Sequence, residues 1–438
     1  MTLTSMPRLS VLKHFVHSSR SPHYLISNFV NSTSQQLIYT VISTKKSTWS
    51  HPPGYGAKDS VWLLQKGLYG LKQAGRIWHE RLKADMEQLG FVQCPRDHAV
   101  FRIGTWKRAD WAVCAFWVDD ETGVGSLHQL QRVAAMFKSK YGISGEGEMK
   151  WTLGIGVSRD RNARKISLSQ EAYVNNLVDR FHLQNATTVT TPLAPGAILS
   201  KDQCPTTLLE QQKMVNNNYR ELIGSLQYAS LATRPDISFA VNKLAQFLNN
   251  PGQAHVEAAI RILRYLKGTK NWSLNLGGRV ADIAGYTDSD WGGDRDDRKS
   301  IGAYVFRMGD GAITWKTKKQ SSVALSSVEA EYMAMCQAAK EAVWLTSLLK
   351  DFDIELRSPI IIFGDSQGAL ALAQNPVFHP RSKHIAIQYH FTRELVQANQ
   401  IAISYIPTKA MVADALTKAL PRPQHVILTQ MMGVLGRD

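Results

Sequence analysis

Gly285-Tyr286-Thr287-Asp288-Ser289-Asp290-Trp291 is the stretch on which the fold turns. Residues 281–287 read as a strand, and the chain changes from apolar to acidic where that strand ends. Two further strand patterns follow at 302–307 and 312–316, then a long helical pattern at 326–350. A strand at 360–363, helices at 366–374 and 385–398, a strand at 401–406 and a last helix at 412–419 complete the region. Neighbouring strands first, then alternating strand and helix, predict a mixed sheet flanked by helices.

The acids of this region fall at strand ends and in helical turns. Asp288 closes the first strand, Glu331 lies early in the long helix, Asp365 follows the run Ile360-Ile361-Ile362-Phe363-Gly364, and Asp414 lies in the last helix. Ligands and catalytic groups collect at such positions because the crevice of an open α/β sheet forms there. Four carboxylates in one pocket require a cation. An oxygen-only set suits Mg²⁺ or Mn²⁺, and two such ions can drive phosphodiester hydrolysis. Spacing does not separate Asp288 from Asp290, or Glu331 from Glu329, because each lies two residues from its rival.

The ordered set of motifs is specific. Besides the opening stretch it includes Ser326-Ser327-Val328-Glu329-Ala330-Glu331-Tyr332-Met333-Ala334, Asp365-Ser366-Gln367, Arg381-Ser382-Lys383-His384-Ile385 and Ala413-Asp414-Ala415-Leu416-Thr417-Lys418. Together they resemble the ribonuclease H domain of Ty1/copia-type retrotransposon polyproteins. The resemblance implies Asp288, Glu331, Asp365 and Asp414 as catalytic metal ligands, Glu331 being preferred over Glu329. It also places Lys383 and His384 in a motif that meets nucleic acid.

Upstream segments resemble the same element. Tyr219-Arg220-Glu221-Leu222-Ile223-Gly224, Thr233-Arg234-Pro235-Asp236-Ile237 and Arg264-Tyr265-Leu266-Lys267-Gly268-Thr269 are similar to the segment joining reverse transcriptase to ribonuclease H. Leu68-Tyr69-Gly70-Leu71-Lys72-Gln73-Ala74 and Phe116-Trp117-Val118-Asp119-Asp120 resemble the reverse transcriptase. Asp119 and Asp120 would hold its metal ions, with Gln73 on the template-primer. Arg261, Arg264 and Lys267 share a helical face, so Arg264 and Lys267 are candidate phosphate contacts. Two departures stand out. Trp117 replaces the Tyr usual before Val-Asp-Asp, and no Asp or Glu precedes Asp59, where reverse transcriptases carry a third acid. This chain alone is therefore expected to polymerise weakly or not at all, and Asp236 is expected to serve the first turn of the helix that follows it.

Composition agrees with a nucleic-acid partner. Lys+Arg 51 against Asp+Glu 36 gives a net charge of +15, which favours polyanions. Hydrophobic content of 44% with 20% charged residues is that of a globular chain. No stretch approaches the roughly 18–20 apolar residues of a membrane span, so a soluble protein with no membrane partner is expected. Cys94, Cys114, Cys204 and Cys336 lie far apart without a CxxC pair, which argues against a zinc finger or disulfide framework.

The fold class expected is α+β with α/β character: a truncated reverse-transcriptase palm with a helical connection, then a ribonuclease H-like mixed five-stranded sheet flanked by helices. The division runs 1–50 as an atypical acid-free segment, disordered or misassigned, and 51–184 as partial reverse transcriptase. Residues 185–278 form the linker and helical connection, 279–422 the ribonuclease H-like domain and 423–438 a tail. The resemblance implies RNA-DNA hybrid and template-primer as partners, with a full-length Pol chain as a further one. It implies an intracellular location, in cytoplasmic virus-like particles or the nucleus. The alternative function is that of a catalytically dead nucleic-acid-binding relic.

Overall fold

The structure, a computed structural model, describes residues 24–29, 42–50, 61–66, 71–106, 108–117, 120–142, 147–214, 217–277, 283–374 and 386–436. Two compact units emerge. One comprises Met1–Leu153 with Lys350–Ile354, the other Gly154–Leu349 with Glu355–Asp438.

In the first unit, the strands Tyr24–Phe29, Asp120–Ser126, Ala112–Trp117, Val100–Ile103 and Val92–Gln93 form one antiparallel sheet in that order. The helices Ala74–Gln88 and Leu127–Tyr141 place Trp78, Leu82, Met86, Leu130, Val133 and Phe137 in a shared core with Phe101 and Phe116 of the sheet. Apolar residues recurring three and four apart put those side chains on one helical face. Asp85, buried on the first helix, accepts from Lys140 Nζ at 2.6 Å and from the Tyr141 hydroxyl, which ties the two helices together.

One expectation for the N-terminal part changes here. Tyr24–Phe29 and Ile42–Ser50 are strands, although both fall in the segment 1–50 read as disordered or misassigned. Tyr24–Phe29 pairs along Asp120–Ser126, giving that strand's backbone groups partners on a second side. Freedom from acids says nothing against such pairing.

The second unit contains a helical block and two sheets. Glu171–Arg180, Tyr219–Ala232, Ser238–Ala245 and Gln253–Gly268 pack around Val174, Leu177, Leu222, Ile223, Leu226, Val241, Leu244, Ile262 and Leu263. One sheet pairs Ile155–Asp160, Lys165–Ser169, Trp272–Gly277 and Val434–Gly436, all antiparallel. The other runs Gly311–Lys319, Ile301–Met308, Ala284–Ser289, Ile360–Gly364, Ile401–Tyr405. Its first three strands are antiparallel, and the last two lie parallel to the central Ala284–Ser289. The helix Ser327–Asp351 is tied to this sheet where buried Glu341 accepts from Tyr304 Oη at 2.9 Å and Thr314 Oγ1 at 2.8 Å.

The domain boundaries read from the sequence do not follow these units. The division falls at Leu153–Gly154 instead of at residue 184. The stretch 185–278 is integral, because Trp315 Nε1 donates to Ser230 O at 2.9 Å and Asn242 Nδ2 to Thr317 O at 3.2 Å. Lys243 Nζ, 2.9 Å from Asp294, adds an ion pair between the helical block and the mixed sheet's first loop. Residues 423–438, read as a tail, contribute most of the helix Arg422–Met431 and the strand Val434–Gly436. His425, Leu428, Met432 and Val434 are buried there, the first three at helical spacing. The last helix expected at 412–419 is instead a 3-10 turn, Val412–Leu416, ahead of Pro421.

Asp236 also has a different role from the one expected. Its carboxylate takes Arg234 Nε at 3.0 Å and Nη2 at 2.7 Å, and accepts from Tyr265 Oη at 2.7 Å. Arg234 also donates to Thr269 O and Oγ1 at 3.2 and 2.7 Å. Both charged groups are buried. Burial pushes the Asp236 carboxyl up, but Arg234 outweighs it and holds the group below the usual carboxylate range. The Thr-Arg-Pro-Asp motif thus serves the core. Removing one partner strands the other charge, so Arg234→Met or Asp236→Asn is expected to cost about 3–5 kcal/mol. Chemical denaturation of each variant measures this; a loss below about 1 kcal/mol would contradict the buried pair.

Candidate functional site

Two strand ends and a helix start meet at one place. Asp288 is the fifth residue of Ala284–Ser289 and is buried. Asp365 follows Ile360–Gly364, whose parallel pairing of Phe363 with Tyr286 brings both strand ends to the same edge of the sheet. Glu331 lies in the second turn of Ser327–Asp351 and accepts from the Ser289 backbone N–H. Asp288, Glu331 and Asp365 each offer an oxygen within 4.8 Å of the others.

Asp414 stands beside this trio, outside the group that shares the 4.8 Å limit. It sits in the turn Val412–Leu416 and accepts from Lys418 Nζ at 2.8 Å. The same ammonium lies 3.3 Å from Asp288 Oδ1 and 3.2 Å from Oδ2. Thr417 donates its hydroxyl to Asp288 Oδ2, and Thr408 Oγ1 donates to Asp365 Oδ2 at 2.7 Å.

Burial, then repulsion by Asp288 and Asp365, pushes the Glu331 carboxyl up to about 9. Burial, then Asp288, lifts Asp414 to about 7. Such a cluster cannot ionise fully without a cation. Its all-oxygen donors suit a hard divalent ion such as Mg²⁺ or Mn²⁺.

The neighbouring acids have other work. Glu329 Oε2 accepts from Leu325 N at 2.9 Å while Glu329 N donates to Ser326 Oγ at 3.2 Å, so the residue caps the long helix. Asp290 Oδ1 accepts from Ile301 N and braces the turn after the first strand. Burial, partly offset by that hydrogen bond, raises Asp290 to about 6.

The remaining candidates are scattered. Lys383, His384 and Asp119 lie outside the described residues. Asp120 opens the strand Asp120–Ser126 opposite Trp117, and Gln73 precedes the helix Ala74–Gln88. Arg264 and Lys267 are committed elsewhere: Arg264 Nε donates to Thr187 O at 2.5 Å and Lys267 Nζ to Ala186 O at 2.8 Å. Arg261 Nη2 donates to Thr191 Oγ1 at 2.9 Å. The basic stripe therefore pins the segment 184–191 to its helix. Lys418, Thr417 and Thr408 had no assigned role in the sequence. Lys418 was detectable as a base four residues after Asp414, the spacing at which one helical face pairs charges.

A family model described as reverse transcriptase (RNA-dependent DNA polymerase) matches residues 26–195. The chain is 38% identical, over 87% of its length, to the retrovirus-related Pol polyprotein from transposon TNT 1-94 of Nicotiana tabacum. It is 38% identical over 88% of its length to that from transposon RE1 of Arabidopsis thaliana. It spans only 29% and 26% of these two relatives. A putative transposon Ty5-1 protein of Saccharomyces cerevisiae is 29% identical over 72% of this chain and 98% of its own length. Among solved structures, LC11-RNase H1 in complex with RNA/DNA hybrid matches at 15% identity and a TM-score of 0.25, over 31% of this chain and 94% of that one. A likeness that distant assigns no role to any residue of this chain.

Glu121, next to Asp120, was not singled out by its sequence. It is buried, and among the described residues neither carboxylate oxygen has a hydrogen-bond partner of good geometry. The nearby Cys114 thiol eases its charge slightly, yet burial pushes the carboxyl up to about 8. Because the folded state holds this proton more tightly than the unfolded chain does, stability should fall as pH rises from about 4.5 through about 8. Glu121→Met is expected to remove that fall and to gain about 1–3 kcal/mol at pH 8, with little gain at pH 4. Denaturation midpoints at both pH values decide the matter; parallel curves for the two proteins would refute it.

Proposed function

Because this chain belongs to the Ty1/copia-type retrotransposon Pol family, we propose that its second unit hydrolyses the RNA strand of RNA-DNA hybrids through Asp288, Glu331, Asp365 and Asp414. The observation that carries this reading is the convergence of Asp288, Glu331 and Asp365 within 4.8 Å. Mg²⁺ or Mn²⁺ bound there would supply the Lewis acidity that favours attack by water and offsets charge on the leaving oxygen, by the two-ion route. The protein's part is to hold the carboxylates. Thr417 fixes Asp288, Thr408 fixes Asp365, and the start of a rigid 25-residue helix fixes Glu331.

Hydrolysis of this kind leaves a 3′-hydroxyl on the RNA. Choice of the RNA strand depends on the 2′-hydroxyl and the shape of the hybrid, without base readout. The net charge of +15 supports binding to the phosphate backbone. Template-primer, a full-length Pol chain as partner, and residence in cytoplasmic virus-like particles or the nucleus belong to the same proposal.

For the first unit the proposal is narrower: a reverse-transcriptase palm that holds template-primer and extends it poorly. The buried Glu121 directly after Asp120, whose oxygens lack a hydrogen-bond partner of good geometry among the described residues, supports this reading, because an unsatisfied polar group costs stability in the strand that carries the proposed catalytic acid.

The full chain, given Mg²⁺ or Mn²⁺, is expected to cut the RNA of a labelled hybrid, and Asp288→Asn or Glu331→Gln to lower the rate more than about a hundredfold. Glu329→Ala should keep cleavage and cost about 1 kcal/mol of stability through the lost side-chain cap. Gel-resolved cleavage measures the first expectation and thermal unfolding the second. Equal cleavage by wild type and Asp288→Asn would overturn the proposal.

A further inference from the structure

The four acids do not form one even cluster. Asp288, Glu331 and Asp365 converge, while Asp414 is joined to Asp288 by the Lys418 ammonium, at 2.8 Å from Asp414 Oδ1 and 3.2–3.3 Å from both Asp288 oxygens. Among the described residues, no Lys or Arg pairs with Glu331 or Asp365. The lysine lies four residues after Asp414, on the turn that follows it, so bridging the two carboxylates orders little extra chain.

We propose that Lys418 is a built-in counter-cation which a second divalent ion must displace, so that the protein without nucleic acid takes one ion tightly and another only weakly. This rests on the reading of the four acids as metal ligands. An ammonium has three donors and no acceptor, and here it uses the same carboxylate oxygens that an ion between Asp288 and Asp414 would need. Both cations cannot hold them at once. The trio meets this ammonium at Asp288 alone, through the longer contacts of 3.2–3.3 Å, so an ion there displaces less than one that also takes Asp414. With 38% of its side chain exposed, Lys418 has a way out to solvent when displaced. The cleavage-ready state then forms only where something adds to the pull for a second ion, and the phosphate of a bound hybrid is a ligand of the right charge.

The test is a Mn²⁺ titration of the full chain without nucleic acid, with free ion counted by electron paramagnetic resonance. Wild type should bind one ion tightly. In Lys418→Met the second ion should bind about tenfold to a hundredfold tighter than in wild type, the worth of the charged hydrogen bonds removed. Lys418→Arg keeps the charge and should retain the wild-type pattern. A second measurement needs no variant: acylation of Lys418 by an amine reagent, read by peptide mass spectrometry, should rise more as the second ion binds than as the first does, because Asp414 still holds the ammonium when only the trio is filled. Equal second-ion affinity in wild type and Lys418→Met overturns the proposal. If Lys418→Met does not fold, acylation decides, and reactivity unchanged through both ions overturns it. Two equal, tight ions in a wild type that cleaves hybrid would sink this inference alone. Failure of either protein to bind Mn²⁺ would remove it together with the proposed function.

Discussion

Mutual repulsion among Asp288, Glu331, Asp365 and Asp414 is the constraint around which the second unit is arranged. Carboxylates this close lose free energy whenever more than one is charged in a dry place; burial first, then repulsion by Asp288 and Asp365, pushes the Glu331 carboxyl up to about 9. A flexible loop would relieve the strain by moving apart. Here each acid is attached to something that cannot move cheaply. Asp288 is on the central strand, paired on one side with Ile301–Met308 and on the other with Ile360–Gly364. Glu331 is on a 25-residue helix with a capped start. On the proposed reading, a divalent cation would relieve that repulsion, and the relief would appear as affinity for the ion.

That rigidity reaches into the helical block. Lys243 and Lys319 both hold Asp294, at 2.9 and 2.8 Å, in the loop that follows Asp288. Burial raises the Asp294 carboxyl, but the two lysines outweigh it and keep it well below the usual range. Farther in, Tyr265 bonds Asp236 and also meets His425 Nε2 at 3.2 Å, so the C-terminal helix is anchored to the same buried ion pair. Buried pairs of this sort add little net stability against an apolar replacement. What they do here is join Ser238–Ala245, Gln253–Gly268 and the C-terminal helix to the residues behind the sheet.

The sequence made the mixed sheet and its four acids legible because both follow strong local rules: apolar runs ending in acids, and one long helical period. It could not separate Glu331 from Glu329, since both lie in the first turns of the same helix. Only the fold shows that one caps the helix and the other meets Asp288. Arg264 and Lys267 illustrate the opposite failure. Their spacing described a basic face correctly, but the partner of that face is the carbonyl-rich segment 184–191, and nothing local in either stretch announces the other. Long-range pairing also hid the strand Val434–Gly436, three residues whose place is fixed by Trp272–Gly277 more than 150 positions earlier.

The two units treat buried acids in contrasting ways. In the second unit Glu341 has two hydroxyl donors, Asp236 an arginine and a tyrosine, Asp294 two lysines. In the first, Asp85 is equally well served by Arg81, Lys140 and Tyr141, but Glu121 has no donor of good geometry among the described residues. An acid left without partners costs stability in proportion to how fully it is buried, and Glu121 is 2% exposed. Its strand also carries Asp120 and pairs with the strand ending at Trp117. The weak point therefore coincides with the element on which polymerase chemistry would depend. Among the described residues, the strand that carries Asp288 holds no comparable unpartnered acid, since Thr417 and Lys418 both bond that carboxylate.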